Sequence, residues 1–541
     1  MKKIFAIGIV SFALSSSVLA QRTGLDWMTD GSDAQRSSWI RSDNKIKKEA
    51  MEKPGFQFLW KMKVKSDPKQ LNNLTAPSTL DRLIGFRGFR MLGFFAGAEN
   101  KLFTLDTDLG RMEWEKTLTV APSTAPSTLA CPGGLTTSVA RPALFTIAPP
   151  PGASGGTGRN TPAKSAVGEA GQGAVTLANV RPNPPPPPAP SQPARVNTAN
   201  PPGGQLGAGP FLVYALSGDG MLHALHLSNG ADYKAVTKFI PPNATASGLL
   251  VSDQFAYVAT QNSCNGAPNG VWAMDLETRE VKSFKGNVVG STGMAFDADG
   301  TIFVATGSGG EKANSLVALD HKTLAVKSAF AAGTEFASSP VIFSHKEKSI
   351  VAAATKDGRV HLLDPNDLSK PIASSRATLK AANFAPGALT SWQDVTGTRW
   401  ILAPVANSQV SELGFTPDGA KDGVVAWKVV SENGAISLQP GWAKGNLESP
   451  LTPTVINGVA FVTSSGEFKG KNSKATAAQR AARSIPAVLY ALDATTGKEL
   501  WNSGTTITSF VHGNALTAGM SQIYVTTYDG TIYTFGFPME H

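Results

Sequence analysis

The chain is poor in charge and nearly devoid of cysteine: 16% of its 541 residues are charged and two are Cys. No C-x-x-C-H occurs, so there is no attachment point for a c-type haem. No Lys/Arg stripe with interleaved aromatics is present, which argues against nucleic acid as a partner. Past the first twenty residues no segment is apolar enough to cross a bilayer, so no membrane span is expected. No Ser/His/Asp constellation can be assembled. His223 and His226, on one expected strand, face opposite sides and cannot easily share a metal. Gly307-Ser308-Gly309-Gly310 lacks a following helix pattern, so it is a poor phosphate cradle.

At the start of the chain, Lys2 and Lys3 precede an apolar run over 4–14 and small residues over 15–20, ending Val18-Leu19-Ala20. Residues 1–20 read as a cleaved signal peptide, which puts the mature chain in a periplasm or outside the cell. In that setting the two cysteines suggest one disulfide, with two free thiols as the alternative. Loss of two leader lysines lowers the formal charge from +9 to +7, a modest excess.

What the chain does have is turn-forming residues, 54 Gly and 36 Pro, and a repeated phrase. A hydrophobic strand, a turn and a second strand recur, most clearly in LYALDATTGKELW from Leu489. Weaker copies are LFTLDTDLGRMEW from Leu102, VWAMDLETREVKSF from Val271 and LVALDHKTLAVKSAF from Leu316. The turns align at Asp106, His226, Asp275, Asp320, Asp364, Lys428, Asp493 and Gly536. An Asp here accepts from backbone N–H groups two residues on and sets the turn, which makes these aspartates structural rather than catalytic. Repeats of this period must bury their faces on one another. The expected fold is all-β: an eight-bladed β-propeller of four-stranded antiparallel blades, with seven blades as the alternative count. The last unit has only three strands, and the segment FQFLWKMKV from Phe56 has no blade of its own. That N-terminal strand is expected to close the last blade. An N-terminal arm over 21–55 and a propeller over 56–541 follow.

Three insertions interrupt the repeat. Residues 146–207, rich in Pro and Gly and including Pro184 to Pro188, cannot bury a core and are expected to be disordered or extended. A second insertion at 408–423 reads as short and polar. The third, at 466–485, carries Lys469, Lys471, Lys474, Arg480 and Arg483, a solvated face or a contact for an acidic partner or lipid headgroups. The Arg82, Arg87 and Arg90 group reads as solvated, with anion binding as the minority alternative.

The phrase Ala491-Leu492-Asp493-x-x-Thr496-Gly497-Lys498-x-x-Trp501 resembles the tryptophan-docking repeat of PQQ-like quinoprotein dehydrogenases. Those are eight-bladed propellers that bind pyrroloquinoline quinone (PQQ) with a calcium ion. The segment Asp26-Trp27-x-Thr29-x-Gly31-x-Asp33 looks like the opening arm of the same superfamily. The resemblance implies that Trp60, Trp114 and Trp501 pack between blades. It implies PQQ and Ca²⁺ as possible cofactors, without assigning ligands. The family's vicinal cysteine pair is absent here, since Cys131 and Cys264 are far apart, and no Glu/Asn/Asp set matches its metal site by local motif. Trp392, on an inner strand, reads as a channel plug or as a floor for the quinone. Non-catalytic propellers use the same repeat, including the lipoprotein of the outer-membrane protein assembly machinery.

Cys131 precedes the inner strand of the second unit, and Cys264 lies between the second and third strands of the next. Both connections emerge on one face, so an inter-blade disulfide is reasonable. That face also carries the longest loops, with Gln261, Asn262 and Asn265 as candidates to line the axial mouth. Two functions remain in view. One is an exported, non-catalytic binding or assembly platform for a protein or small molecule at the axial face. The other is a divergent quinone-dependent alcohol or sugar dehydrogenase.

Overall fold

In the computed structural model, residues 26–85, 88–146, 211–377, 384–470, 474–513 and 516–538 are described. The expected leader at 1–20 and nearly all of the insertion at 146–207 lie outside them. Eight antiparallel sheets radiate about an axis, and the inner strands of the last and first sheets adjoin, so the ring closes. Blade 1 is built from Ser78–Gly85, Gly88–Gly97, Lys101–Asp106 and Arg111–Thr117. Blades 3 to 7 occupy 245–285, 295–331, 341–374, 390–447 and 454–502. Blade 2 (212–238) has an inner strand reduced to one bridge, Ala140 with Tyr214. In blade 8 (516–536), Gln57–Lys63 pairs antiparallel with Thr531–Gly536 as the outer strand. The chain's start therefore closes the ring.

The core is distributed rather than central. Among the described residues eight apolar clusters form, each between two neighbouring blades. Val64, Leu74, Phe95, Phe103, Leu105 and Ile532, for example, join blade 8 to blade 1. Second strands such as Lys348–Ala354 are covered on both faces and run continuously apolar, burying Ile350 to Ala354 almost completely. The insertion at 408–423 differs from its polar expectation: after the short helix Asn407–Val410, the side chains of Val410, Leu413 and Phe415 are buried in the core between blades 5 and 6. Apolar residues spaced through a polar stretch were enough to pin it down.

The hinge aspartates sit at the turns between third and fourth strands. Asp275 Oδ1 accepts from the N–H of Glu277 and Thr278, and Asp320 Oδ1 from Lys322 and Thr323. Asp106, Asp364 and Asp493 make the same bonds to Asp108, Asn366 and Thr495. On this rim a tryptophan from one blade docks on the turn of the next. Trp60 donates its indole N–H to Thr107 O (2.9 Å), Trp114 to Leu227 O (2.8 Å) and Trp442 to Ala494 O (2.9 Å). Each ring lies where a Cβ at Gly110, Gly230 or Gly497 would approach to 2.6–2.8 Å, so these turns need glycine for closeness as well as for their positive φ. Trp501 has no such turn to meet, because blade 8 ends at the seam. It packs instead against Phe56 (centroids 4.9 Å) and Phe535 (5.5 Å).

His361, in the third strand of blade 5, shows what burial does to a titratable group here. Its ring lies beside Phe330 and Phe336, with Nδ1 2.8 Å from Ser374 Oγ and Nε2 3.3 Å from Thr355 Oγ1. Burial lowers its pKa to about 4, a shift that Asp357 opposes and Arg359 reinforces. The unfolded chain takes up the proton near 6.5, while the folded one resists it down to about 4. This contribution is therefore complete above 6.5 and lost as pH falls towards 4, about 3 kcal/mol in all. Urea unfolding of wild type and His361→Gln at pH 7 and pH 4 should show the difference between them shrinking by about that amount. A pH-independent difference would contradict a neutral His361.

Candidate functional site

Two faces follow from the strand order. Turns between first and second strands and between third and fourth strands share one face with the tryptophan-docked rim, the docking face. Connections between blades and between second and third strands share the other. On that second face Cys131 and Cys264 form a disulfide with Cα atoms 5.4 Å apart, tying the approach to blade 2 onto blade 3. Gln261 Nε2 donates to Gly290 O, Asn262 Nδ2 to Ala130 O and Asn265 Nδ2 to Asn243 O. These amides knit loops together around the disulfide and do not converge on a common point.

The basic insertion of blade 7 folds onto the same face. Its helix Ala477–Arg483 starts with a capping box, Thr476 with Gln479. Arg480 pairs with the buried Glu467, whose other oxygen is 3.0 Å from His512 Nδ1. Burial alone would raise the Glu467 pKa, but the His512 hydrogen bond and the charges of His512, Lys469 and Arg480 hold it below the usual range. Arg480 thus serves as an anchor, and the insertion's positive charge is partly consumed internally.

The axis itself is occupied by the N-terminal arm, which meets all eight blades in order. Trp27 exchanges backbone and side-chain bonds with Thr79 of blade 1, and Met28 O accepts from Arg141 beside blade 2. Thr29 Oγ1 donates to Leu249 O of blade 3, and Ala34 O accepts from Phe296 of blade 4. Gln35, Ser37 and Ser38 carbonyls accept from Ile342, Ser391 and Val455 of blades 5, 6 and 7. Trp39 and Ile40 then add a short parallel strand to blade 7, and Asp43 holds Ser521 of blade 8. Arg36 is the hub. Its Nε donates to Met294 O (2.8 Å), Nη2 to Gly248 O (2.8 Å), and Nη1 to Thr29 Oγ1 (2.9 Å) and Asp30 O. Complete burial lowers its pKa to about 10, opposed by Asp30 and Asp33, so it remains a cation at neutral pH.

On the disulfide side of this plug lies a small open cleft with room for about one water-sized group at its base. Trp27, Asp30, Gly31 and Ser38 of the arm line it together with Thr292, Leu451, Thr452, Thr454 and Leu516 from the inner strands and their approaches. Asp30 is its only charged side chain and is committed: Oδ1 accepts from Ser138 Oγ (2.6 Å), Oδ2 from Thr137 Oγ1 (3.2 Å) and Gly248 N (3.1 Å). Along the inner strands the hydroxyls of Ser78, Ser247, Thr292 and Ser391 are buried with no partner among the described residues. Such atoms call for water or for a ligand's hydrogen bonds.

No protein-family model matches the chain, and no curated protein does. Among solved structures it is similar to the quinohemoprotein alcohol dehydrogenase of Comamonas testosteroni, at 13% identity and TM-score 0.56, covering 95% of this chain and 81% of that one. A europium-containing methanol dehydrogenase matches at 10% identity and TM-score 0.53, covering 95% and 99%. BamB from Moraxella catarrhalis matches at 12% identity and TM-score 0.45, covering 90% and 99%. The fold is that of the PQQ-like propellers.

At such identities the likeness is one of fold, so the cofactor has to be tested on the residues themselves. PQQ is a tricarboxylate and needs positive donors, and Ca²⁺ takes six to eight oxygens. A PQQ-like propeller whose axial cavity presents one committed carboxylate and no cation suits neither, because a desolvated anion would face Asp30 unpaired. Among the described residues no group of three or more His, Cys, Asp or Glu side chains is arranged to hold a metal. The arm's path and the docking role of Trp442 went unread in the sequence. Trp392 is neither plug nor floor: it stacks on Trp400 (6.3 Å, 13°) in the cluster with Trp39 between blades 6 and 7. Side chains alternate along its strand, and that of Trp392 faces the neighbouring blade. Of the arginine group, Arg90 pairs with Glu113; the side chains of Arg82 and Arg87 lie outside those described. His223 bonds Asp232 (3.1 Å), while His226 packs on Tyr233 (5.4 Å), so the two point apart.

Proposed function

We propose that this chain is an exported PQQ-like propeller that works as a binding or assembly platform, recognising a protein or small molecule at its axial face rather than oxidising an alcohol. The observation that carries this reading is the arm. Its Arg36 is taken up by the carbonyls of Met294, Gly248 and Asp30, and its Asp30 carboxylate by Thr137, Ser138 and Gly248 N, at the place where a propeller presents its ligands. What remains accessible is a small cleft whose one carboxylate, Asp30, is already committed, and a disulfide-pinned set of loops. The disulfide and the apolar leader sequence both support an oxidising compartment outside the cytoplasm.

The test is direct titration of purified protein with PQQ and Ca²⁺, followed by a dye-linked dehydrogenase assay across alcohols and sugars. The expected result is no change in quinone absorbance, no rise in Tm and no turnover. Saturable binding with turnover would overturn the reading in favour of a divergent quinone-dependent dehydrogenase.

A further inference from the structure

The opposite end of the axis holds an imbalance of charge that the platform reading does not use. As the arm leaves the axis on the docking face, Arg41 lies over the Trp39 ring, with its Cζ 4.8 Å from the centroid. Arg399, the first residue of the second strand of blade 6, has its Cζ 5.3 Å from the same ring and 5.3 Å from that of Phe343. Arg399 is 3% exposed, yet no carboxylate pairs with it among the described residues. Its Nη2 donates to Ser344 O (2.7 Å) and Gln393 Oε1 (3.1 Å), both neutral. The Nε atoms of Arg399 and Arg41 are both buried without any acceptor among the described residues.

The neighbouring acids do not repair this. Asp33 bonds Arg41 Nη1 (3.2 Å) but also serves Ser37 N and Oγ. Asp394 is taken up by Trp400 Nε1 (2.9 Å) and by its own turn. The field at this spot is positive. Burial, and secondarily Arg41, lowers the Arg399 pKa to about 9; burial, then Arg399 and Lys346, lowers that of His345. A buried guanidinium without an anion is costly, and native proteins pair such groups or give them an ion. Partial exposure of the Arg41 and Asp33 side chains, 13% and 20%, leaves an approach from solvent.

We propose that Arg41 and Arg399 form a binding site for a small oxyanion, a carboxylate or phosphate group, at the docking-face mouth of the axis. Guanidinium planes suit such groups because they donate paired, charge-assisted hydrogen bonds. Stacking on Trp39 and Phe343 fixes the planes in advance, so little side-chain entropy is lost on binding. The anion would bridge the arm to blade 6.

The experiment is thermal unfolding of the full chain at fixed ionic strength, exchanging NaCl for sodium phosphate in one series and sodium succinate in another. With a dissociation constant of order 1 mM, 10 mM anion should raise Tm by about 1 °C, and the rise should keep growing with the logarithm of anion concentration. The series with the larger shift identifies the preferred oxyanion. Arg41→Gln, which removes the guanidinium at the solvent-facing edge of the site, should abolish the shift, and Arg399→Lys should raise the apparent dissociation constant about tenfold. No rise beyond the NaCl control, or an equal rise in Arg41→Gln, would overturn the site. Calorimetric titration of wild type tests the same site without variants, since absence of saturable heat with both anions refutes it. None of these outcomes depends on whether a quinone binds on the other face.

Discussion

Arg36→Met should destabilise the protein by about 3–5 kcal/mol, the range for removing one member of a buried, hydrogen-bonded charge network. The reason is geometric. Methionine fills much of the volume but makes none of the bonds to Met294 O, Gly248 O, Asp30 O and Thr29 Oγ1. Three buried carbonyls would be left without their donor, and Asp30 and Asp33 without the cation they face. The acceptors belong to blades 3 and 4 and to the arm, so one substitution loosens contacts between segments more than two hundred residues apart in sequence. Urea unfolding should show a lower midpoint with little change in slope if the arm and ring still melt together. A separate early transition would mean that the arm detaches first. A cost under about 1 kcal/mol would show that the arm is decoration rather than the ring's internal tie.

The ring was legible because its signals are local. A hinge aspartate fixes its own turn through nearby N–H groups, and a three-stranded final unit beside an orphan strand implies closure. Both features stand in contiguous sequence around Asp493 and Phe58. The arm's route was not legible, although its Asp26-to-Asp33 motif stood out. Its partners are main-chain carbonyls and amides such as Leu249 O and the Val455 N–H, which any residue could supply and which therefore leave no imprint on sequence. Distance along the chain hid the site's character. Asp30 carries no mark in the sequence, because its partners Thr137, Ser138 and Gly248 lie more than a hundred residues away.

Trp442 was missed for a different reason. In the clear repeats the docking tryptophan follows the hinge at the spacing of Asp493 to Trp501. In blade 6 the third and fourth strands are lengthened to Asp422–Glu432 and Ala435–Leu447, with register shifts on the way, so a fixed spacing from Lys428 lands elsewhere. Pairing rather than sequence distance sets where the ring falls. At blade 4 the docking glycine is itself replaced. Leu324, at φ +57°, is buried in the cluster with Phe284 of blade 3, so an apolar side chain fills the position that glycine holds elsewhere.

Gly497→Ala should cost about 3 kcal/mol, whereas Gly458→Ala in the same blade should cost about 1 kcal/mol. Both glycines have positive φ, +75° and +80°, so both alanines meet the same backbone penalty. At Gly458 nothing lies within 4 Å of the added Cβ, but at Gly497 that atom would sit 2.6 Å from Trp442 Cε3. The indole cannot retreat freely, because its N–H is bonded to Ala494 O and its ring is 7% exposed against blade 7. The difference between the two variants therefore isolates the docked ring from the turn's conformation. Trp442→Phe should then reduce the penalty of Gly497→Ala, since a smaller ring without the N–H tether can yield, and a double-mutant cycle measures the coupling. Equal costs for the two glycine substitutions would mean that contact between blades 6 and 7 rests on the rest of their shared apolar cluster, and that docking of tryptophan on glycine adds nothing to ring closure.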